Sequence, residues 1–327
     1  MNITDTDIAA SPAYYPQSFD VKGDRVMLVK MSAADYRLSS FLDSRILAPG
    51  MTAAWFDYIP VAVSADQVKP RPLHFIFHSG HVGSTLLSRL LDEVPGVLGL
   101  REPHPLQTLA EMADETPADA AYTARLKTFL RLWSRGFETT RWVVLKATSM
   151  TGRIAPDLLA ALPDAKAVYL NLPAEAYLTA ILGSPSGAAD LKLFEAIRYR
   201  QLSAMLGQQI ETATSVGELA AIAWMVERGN QERAKAAAGR RVLLLDFETM
   251  LSDMETSLAN VLRHFDLPAV AGQLAQSPSL ARYSKAPEQL AFSPGARAEM
   301  MRKSRQTFAE EIEKGLGLIA RLQPAGR

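Results

Sequence analysis

Between Phe75 and Glu93 the chain reads FIFHSGHVGSTLLSRLLDE, an apolar run, a glycine-broken turn and an amphipathic stretch. Gly80 and Gly83 lead into Ser84 and Thr85 at the expected start of a helix. Such a turn gathers backbone N–H groups and the positive helix end around an anion. Glycine permits the close approach, and the two hydroxyls can donate to phosphate or cap the helix. His81 stands inside the turn, Glu102 and His104 follow in REPHPL, and Lys146 ends WVVLK. Histidine, carboxylate and lysine are residue types that can carry protons or stabilise charge near a bound anion.

These residues need elements to position them. From about residue 73 short apolar runs alternate with longer helical stretches, the pattern of a parallel sheet with crossover helices. Strands are predicted at Leu73–His78, Val97–Arg101, Trp142–Lys146, Lys166–Leu170 and Arg241–Phe247, each apolar enough to be covered on both faces. Spacing predicts helices over Ser84–Asp92, Thr123–Arg135, Ile154–Ala161, Ala174–Leu182, Ala188–Leu206, Gly217–Ala238, Met250–Phe265 and about Pro294 to Leu322. The expected fold is α/β, a three-layer sandwich of P-loop NTPase type with a central parallel sheet. Residues 1–70 form a mixed α/β appendage: VKGDRVMLVKMS and AWFDYIPVAV read as strands and DYRLSSFLDSRIL as a short helix. Lys69-Pro70-Arg71-Pro72 is a stiff connector to a main domain over 71–327.

The 327 residues carry 35 Lys+Arg and 35 Asp+Glu, so no global field recruits nucleic acid or an acidic membrane. The absence of cysteine excludes disulfides, thiolate metal sites and a thiol nucleophile. The start lacks a signal-peptide pattern and no apolar run reaches membrane-span length, which gives the expectation of a cytoplasmic protein. Three histidines, His74, His78 and His81, crowd one stretch, but His74 and His78 lie about 13 Å apart along a strand, too far to share a metal. No metal is expected.

A nucleotide-hydrolysing loop, G-x-x-x-x-G-K-[ST], needs a lysine where this chain has Ser84, and no lysine occurs between Lys69 and Lys127. Ordinary ATP or GTP chemistry is weakened. Its remaining support is VLLLDFE, whose Asp246 could organise Mg²⁺ in a kinase or could simply end the last core strand.

The loop resembles the 5′-phosphosulfate loop of bacterial PAPS-dependent sulfotransferases, which read like PRSGTTLL; the matching residues are His81-Val82-Gly83-Ser84-Thr85-Leu86-Leu87. GLREPHPLQTL resembles that family's K-E-P-H stretch. The segments from VVLKATSM to AYLTAIL, RRVLLLDFETMLSDMETSLANVLRHFDLP and RYSKAPEQLAFSPG are similar to its later ones in the same order. The likeness runs from about 73 to 290 and leaves out residues 1–70.

The resemblance implies sulfuryl transfer from 3′-phosphoadenosine 5′-phosphosulfate (PAPS) to a hydroxyl or amine of a small molecule or glycan, without metal. Gly80, Gly83, Ser84 and Thr85 would cradle the donor, Lys146 would stabilise the departing phosphate, and Glu102 would be the base. Read without it, Lys146 is a snorkelling lysine and Glu102 a solvated partner of Arg101. His104 orients Glu102, binds the acceptor or caps the next helix. His81 replaces the family's loop Lys or Arg, and an imidazole beside an anion can substitute in part. The family's 3′-phosphate Arg and Ser align with Asn171 and Thr179. Asn171 is neutral, so the missing charge would come from Arg153, Arg198, Arg282 or Lys285. A binding module that kept the loop and lost catalysis is the other reading, and a homodimer stands open.

Overall fold

The fold is taken from a computed structural model, which describes residues 5–48, 50–115, 119–281 and 294–322. Among the described residues eight strands form two sheets: β1 (Tyr14–Asp20), β2 (Arg25–Lys30), β3 (Ala53–Asp57), β4 (Leu73–His78), β5 (Val97–Arg101), β6 (Trp142–Lys146), β7 (Ala167–Asn171) and β8 (Val242–Asp246). The first three pair antiparallel in the order β1-β2-β3. The other five pair parallel in the order β5-β6-β4-β7-β8.

Strand periodicity divides the interior. Phe75, Phe77, Val143, Leu145, Ala167 and Tyr169 point into one core with the N-terminal sheet. Ile76, Val144, Val168 and Leu170 point into another with the helices Ser84–Asp92, Ala174–Leu182 and Val216–Ala238. Alternate residues serving opposite cores make a three-layer α/β sandwich, and they explain why these strands read as unbroken apolar runs.

The five parallel strands agree with the sequence expectation to within one residue at each end. Several helices differ. Ala188–Leu206 is two helices broken at Phe194, and the terminal helix divides into Pro294–Thr307 and Ala309–Leu322. Met250–Phe265 becomes Phe247–Ser252 and Met254–His264, because Asp246 and Asp253 each accept a capping bond at a new helix start. The expected strand AWFDYIPVAV turns helical after Asp57, over Tyr58–Asp66. The strand β1, with Pro16 at a register shift, carried no clear signal.

The N-terminal sheet is joined to the main sheet by two buried arginines. Arg135 donates to the carbonyls of Ile8, Ser11 and Tyr14, and burial pulls its guanidinium down to about 10. Arg101, at the end of β5, donates to the carbonyls of Tyr36 and Ser39 at 2.8 and 2.9 Å and pairs with buried Asp92 at 2.6 Å. The amide of Leu42 returns a bond to the Arg101 carbonyl at 2.6 Å. Among the described residues no helix is long and apolar enough to cross a membrane.

Glu227, on Val216–Ala238, is buried against the sheet and accepts a bond from the Tyr169 hydroxyl at 3.4 Å. Burial raises its carboxyl from 4.5 to about 8, against the opposing pull of Arg198, the Tyr169 hydroxyl and Arg153. The native state therefore holds a proton that the unfolded chain releases between these values, so this group's contribution to stability falls as pH rises from about 4.5 to about 8. Glu227→Gln should remove that dependence. Its melting temperature is expected to match the wild type near about pH 5 and exceed it near about pH 9, and a pH-independent difference by scanning calorimetry would contradict this.

Candidate active site

The parallel register brings three strand ends to one edge of the sheet. Lys146 lies beside Ile76 of β4 and Arg101 of β5, and the Glu102 amide donates to the Lys146 carbonyl at 2.7 Å. Above this edge opens a cavity of about 640 Å³, lined by the loop from Ser79 through Leu86 together with Glu102 and Lys146. Ligands of open α/β sheets bind at this carboxyl edge.

The loop has a left-handed backbone at Gly80 (φ 85°), His81 (φ 55°) and Gly83 (φ 68°). Gly83, and not Ser84, is the N-cap of Ser84–Asp92, and it offers no side-chain cap to the helix amides. A Cβ on Gly83 would sit inside the ring of Phe247, so sterics as well as φ require glycine there. His78 latches the loop: its Nδ1 accepts from the Gly80 amide at 3.1 Å, which leaves Nε2–H to donate to the Ala147 carbonyl at 2.8 Å. Ser84 and Thr85 are buried. The hydroxyls of Ser79 and Thr85 find no hydrogen-bond partner among the described residues. Unsatisfied hydroxyls along a cavity wall suit a bound oxyanion.

Lys146 and Glu102 form an ion pair; the lysine side chain is 1% exposed and the carboxylate 14%. Neither alternative reading fits them. Lys146 does not snorkel, and Arg101 is engaged by Asp92. Glu102 itself has φ 54°, one of four non-glycine residues with positive φ among the described residues, and His81 is another. Strained backbone of this kind costs of order 1–3 kcal/mol and gathers at functional sites.

Of the other expected residues among those described, Arg198 is brought here and the rest are not. His104 opens the helix His104–Glu115 and does not line the cavity; its Nδ1 is buried with no partner among the described residues. Asn171 donates to Gln231 at 2.7 Å, and Thr179, fully buried, returns its hydroxyl to the Glu175 carbonyl at 2.7 Å. The helix Ala174–Leu182 instead turns Tyr177 and Ala180 to the cavity, followed by Ser184. Arg153 is drawn to Asp114, Arg198 lines the cavity beside Asp190, and Arg282 and Lys285 lie outside the described residues. Asp246 does not reach the loop. Its strand is at the sheet edge, and its carboxylate caps Thr249 at 2.8 Å. His74 stacks on Phe265 at the far end of β4, where burial lowers its imidazole to about 4. No three metal-ligating side chains converge among the described residues.

The structure adds residues that the sequence did not disclose. Phe41 and Arg45 reach the cavity from the N-terminal unit, and Arg297 and Met300 from Pro294–Thr307. Arg297 lies over the Phe247 ring at 5.0 Å and grips Glu248 through two bonds of 2.8 and 3.0 Å. Ser149 is the exception, since its place just after Lys146 was a usable signal.

Gly83→Ala should lower stability by about 1–3 kcal/mol through backbone strain and the Phe247 clash. Adding Phe247→Ala should recover part of that loss. Urea unfolding of the two variants checks this, and a Gly83→Ala protein as stable as the wild type would refute the tight approach.

No protein-family model matches the chain. No curated protein matches it either. Among solved structures the chain is similar to the sulfotransferase domain of the Synechococcus PCC 7002 olefin synthase, at 15% identity over 73% of this chain and 95% of that one, with a TM-score of 0.41. It is similar to mouse sulfotransferase SULT7A1 complexed with PAP, at 15% identity over 79% and 92% and a TM-score of 0.40. It is also similar to sulfotransferase STF1 of Mycobacterium tuberculosis H37Rv, at 18% identity over 76% and 81% and a TM-score of 0.39.

Proposed function

We propose that the chain transfers a sulfuryl group from PAPS to a hydroxyl or amine, by in-line displacement. The observation that carries this reading is the Lys146–Glu102 pair, set on the strands beside a phosphate-type loop that has no lysine of its own. A lysine-free loop suits a phosphosulfate better than a nucleoside triphosphate. Asp246, the support for a kinase, is a helix cap away from the loop.

In this reading the loop amides, Ser84 and Thr85 hold the phosphosulfate. The acceptor oxygen or nitrogen bonds to sulfur as the bond from sulfur to the bridging phosphate oxygen breaks. Glu102 takes the acceptor proton, and the electron pair leaves on the phosphate oxygen. Protonation neutralises the partner of Lys146 just as charge grows on that oxygen, which frees the ammonium to stabilise it. His81 donates from inside the loop. Asn171 and Thr179 are engaged elsewhere, so the 3′-phosphate falls to a cation, and of Arg153, Arg198, Arg282 and Lys285 it is Arg198 that lines the cavity among the described residues.

Calorimetric titration with adenosine 3′,5′-bisphosphate beside Mg²⁺–ATP tests the donor. Micromolar binding of the bisphosphate and none of ATP is expected, and the reverse would remove PAPS. With PAPS and an acceptor, Glu102→Ala should lower kcat by about 10²–10⁴-fold while keeping the bisphosphate affinity. Wild-type protein that binds the bisphosphate but turns over no acceptor would be a binding module.

A further inference from the structure

Strand order gives the cavity two sides. The loop of β4 lies between Glu102, just after β5, and Lys146, which ends β6, on one side and the residues following β7 and β8, among them Tyr177, Ser184 and Phe247, on the other. In-line transfer places the nucleophile opposite the leaving oxygen. With Glu102 as the base, the acceptor arrives on the β5 side.

The wall on that side comes from outside the parallel sheet. Phe41 lines the cavity with its ring centroid 5.8 Å from the Lys146 ammonium, and the Arg45 guanidinium lies 3.4 Å from the same centroid. The segment is held firmly. Tyr36 and Ser39 are bound through their carbonyls to Arg101, the Leu42 carbonyl accepts from Tyr15 at 2.8 Å, and Ser40 accepts from Arg89 at 2.7 Å. Leu86, one turn before Arg89, lines the same cavity. The charged groups here are already paired: Lys146 with Glu102, Arg45 with Asp43, and one guanidinium nitrogen of Arg89 with Ser40. Beyond the hydroxyls of Thr148 and Ser149, the surface left for an acceptor is the aromatic and aliphatic one.

Resting on the sulfuryl-transfer reading, we propose that Phe41 forms the acceptor subsite and that the acceptor is a phenol or alcohol with a flat apolar body, not a glycan. A sugar would need several hydrogen bonds from groups that are engaged elsewhere, whereas an aryl ring gains area and ring–ring contact.

The test is calorimetric titration of the full chain with 4-nitrophenyl sulfate and with N-acetylglucosamine 6-sulfate, each with and without saturating adenosine 3′,5′-bisphosphate. Wild type, Phe41→Ala and Phe41→Tyr are compared. The aryl sulfate should bind wild type and Phe41→Tyr alike and bind Phe41→Ala about tenfold or more weakly, with bisphosphate affinity unchanged and the sugar sulfate weaker throughout. Equal aryl sulfate affinity in wild type and Phe41→Ala, preference for the sugar, no aryl sulfate binding, or parallel loss of the bisphosphate in Phe41→Ala would each overturn the subsite. The donor and the subsite fail separately: Phe41-dependent aryl sulfate binding without any bisphosphate binding keeps the subsite and removes PAPS.

Discussion

The site depends on one ion pair. Lys146 is withdrawn from water at the end of β6 while Glu102, just beyond β5, keeps 14% exposure, so the ammonium without its carboxylate would be a costly lone charge. A pair with such a desolvation penalty adds little stability compared with apolar residues of the same size. Its value lies in placement. The parallel register and the bond from the Glu102 amide to the Lys146 carbonyl bring ammonium and carboxylate together before any ligand arrives. The positive φ of Glu102 is the local strain that accompanies this aim.

The same economy recurs around the cavity. Each Lys or Arg that lines it among the described residues is matched by a carboxylate: Lys146 by Glu102, Arg45 by Asp43, Arg198 by Asp190, and Arg297 by Glu248. Charge compensation at this density orients each cation in advance. Binding a polyanion then becomes an exchange of partners, with less rotamer entropy left to lose.

The central sheet was readable because strands covered on both faces must be apolar throughout, and β4 to β8 are. Gly83 and Lys146 were readable because a turn that excludes a Cβ and a lysine closing an apolar strand leave local marks in the chain. Helix divisions at Phe194 and Phe308 left none, since neither break is marked by a glycine, a proline or a capping polar residue. Asn171 and Thr179 show the limit of matching by spacing. Their positions fit a motif, yet the helix turns Tyr177 and Ala180 to the cavity, and Thr179 faces away. Phe41 and Arg297 became functional candidates only through contacts with residues far away along the chain, which no local pattern encodes.

Arg101 and Arg135 bind the N-terminal unit by main-chain carbonyls, so the bonds depend on the path of that backbone and hardly on its side chains. The two arginines thus read the trace of residues 8–39, while the side chains that must be kept there are the core ones, Tyr15, Phe19, Val26, Leu28 and Tyr36 among them. A unit of different trace, brought in by recombination, would leave Arg101 with Asp92 alone and Arg135 with the Leu132 carbonyl alone, each short of acceptors in the interior. Variation in this lineage should therefore proceed by substitution along a fixed N-terminal path, and not by the exchange of whole cassettes.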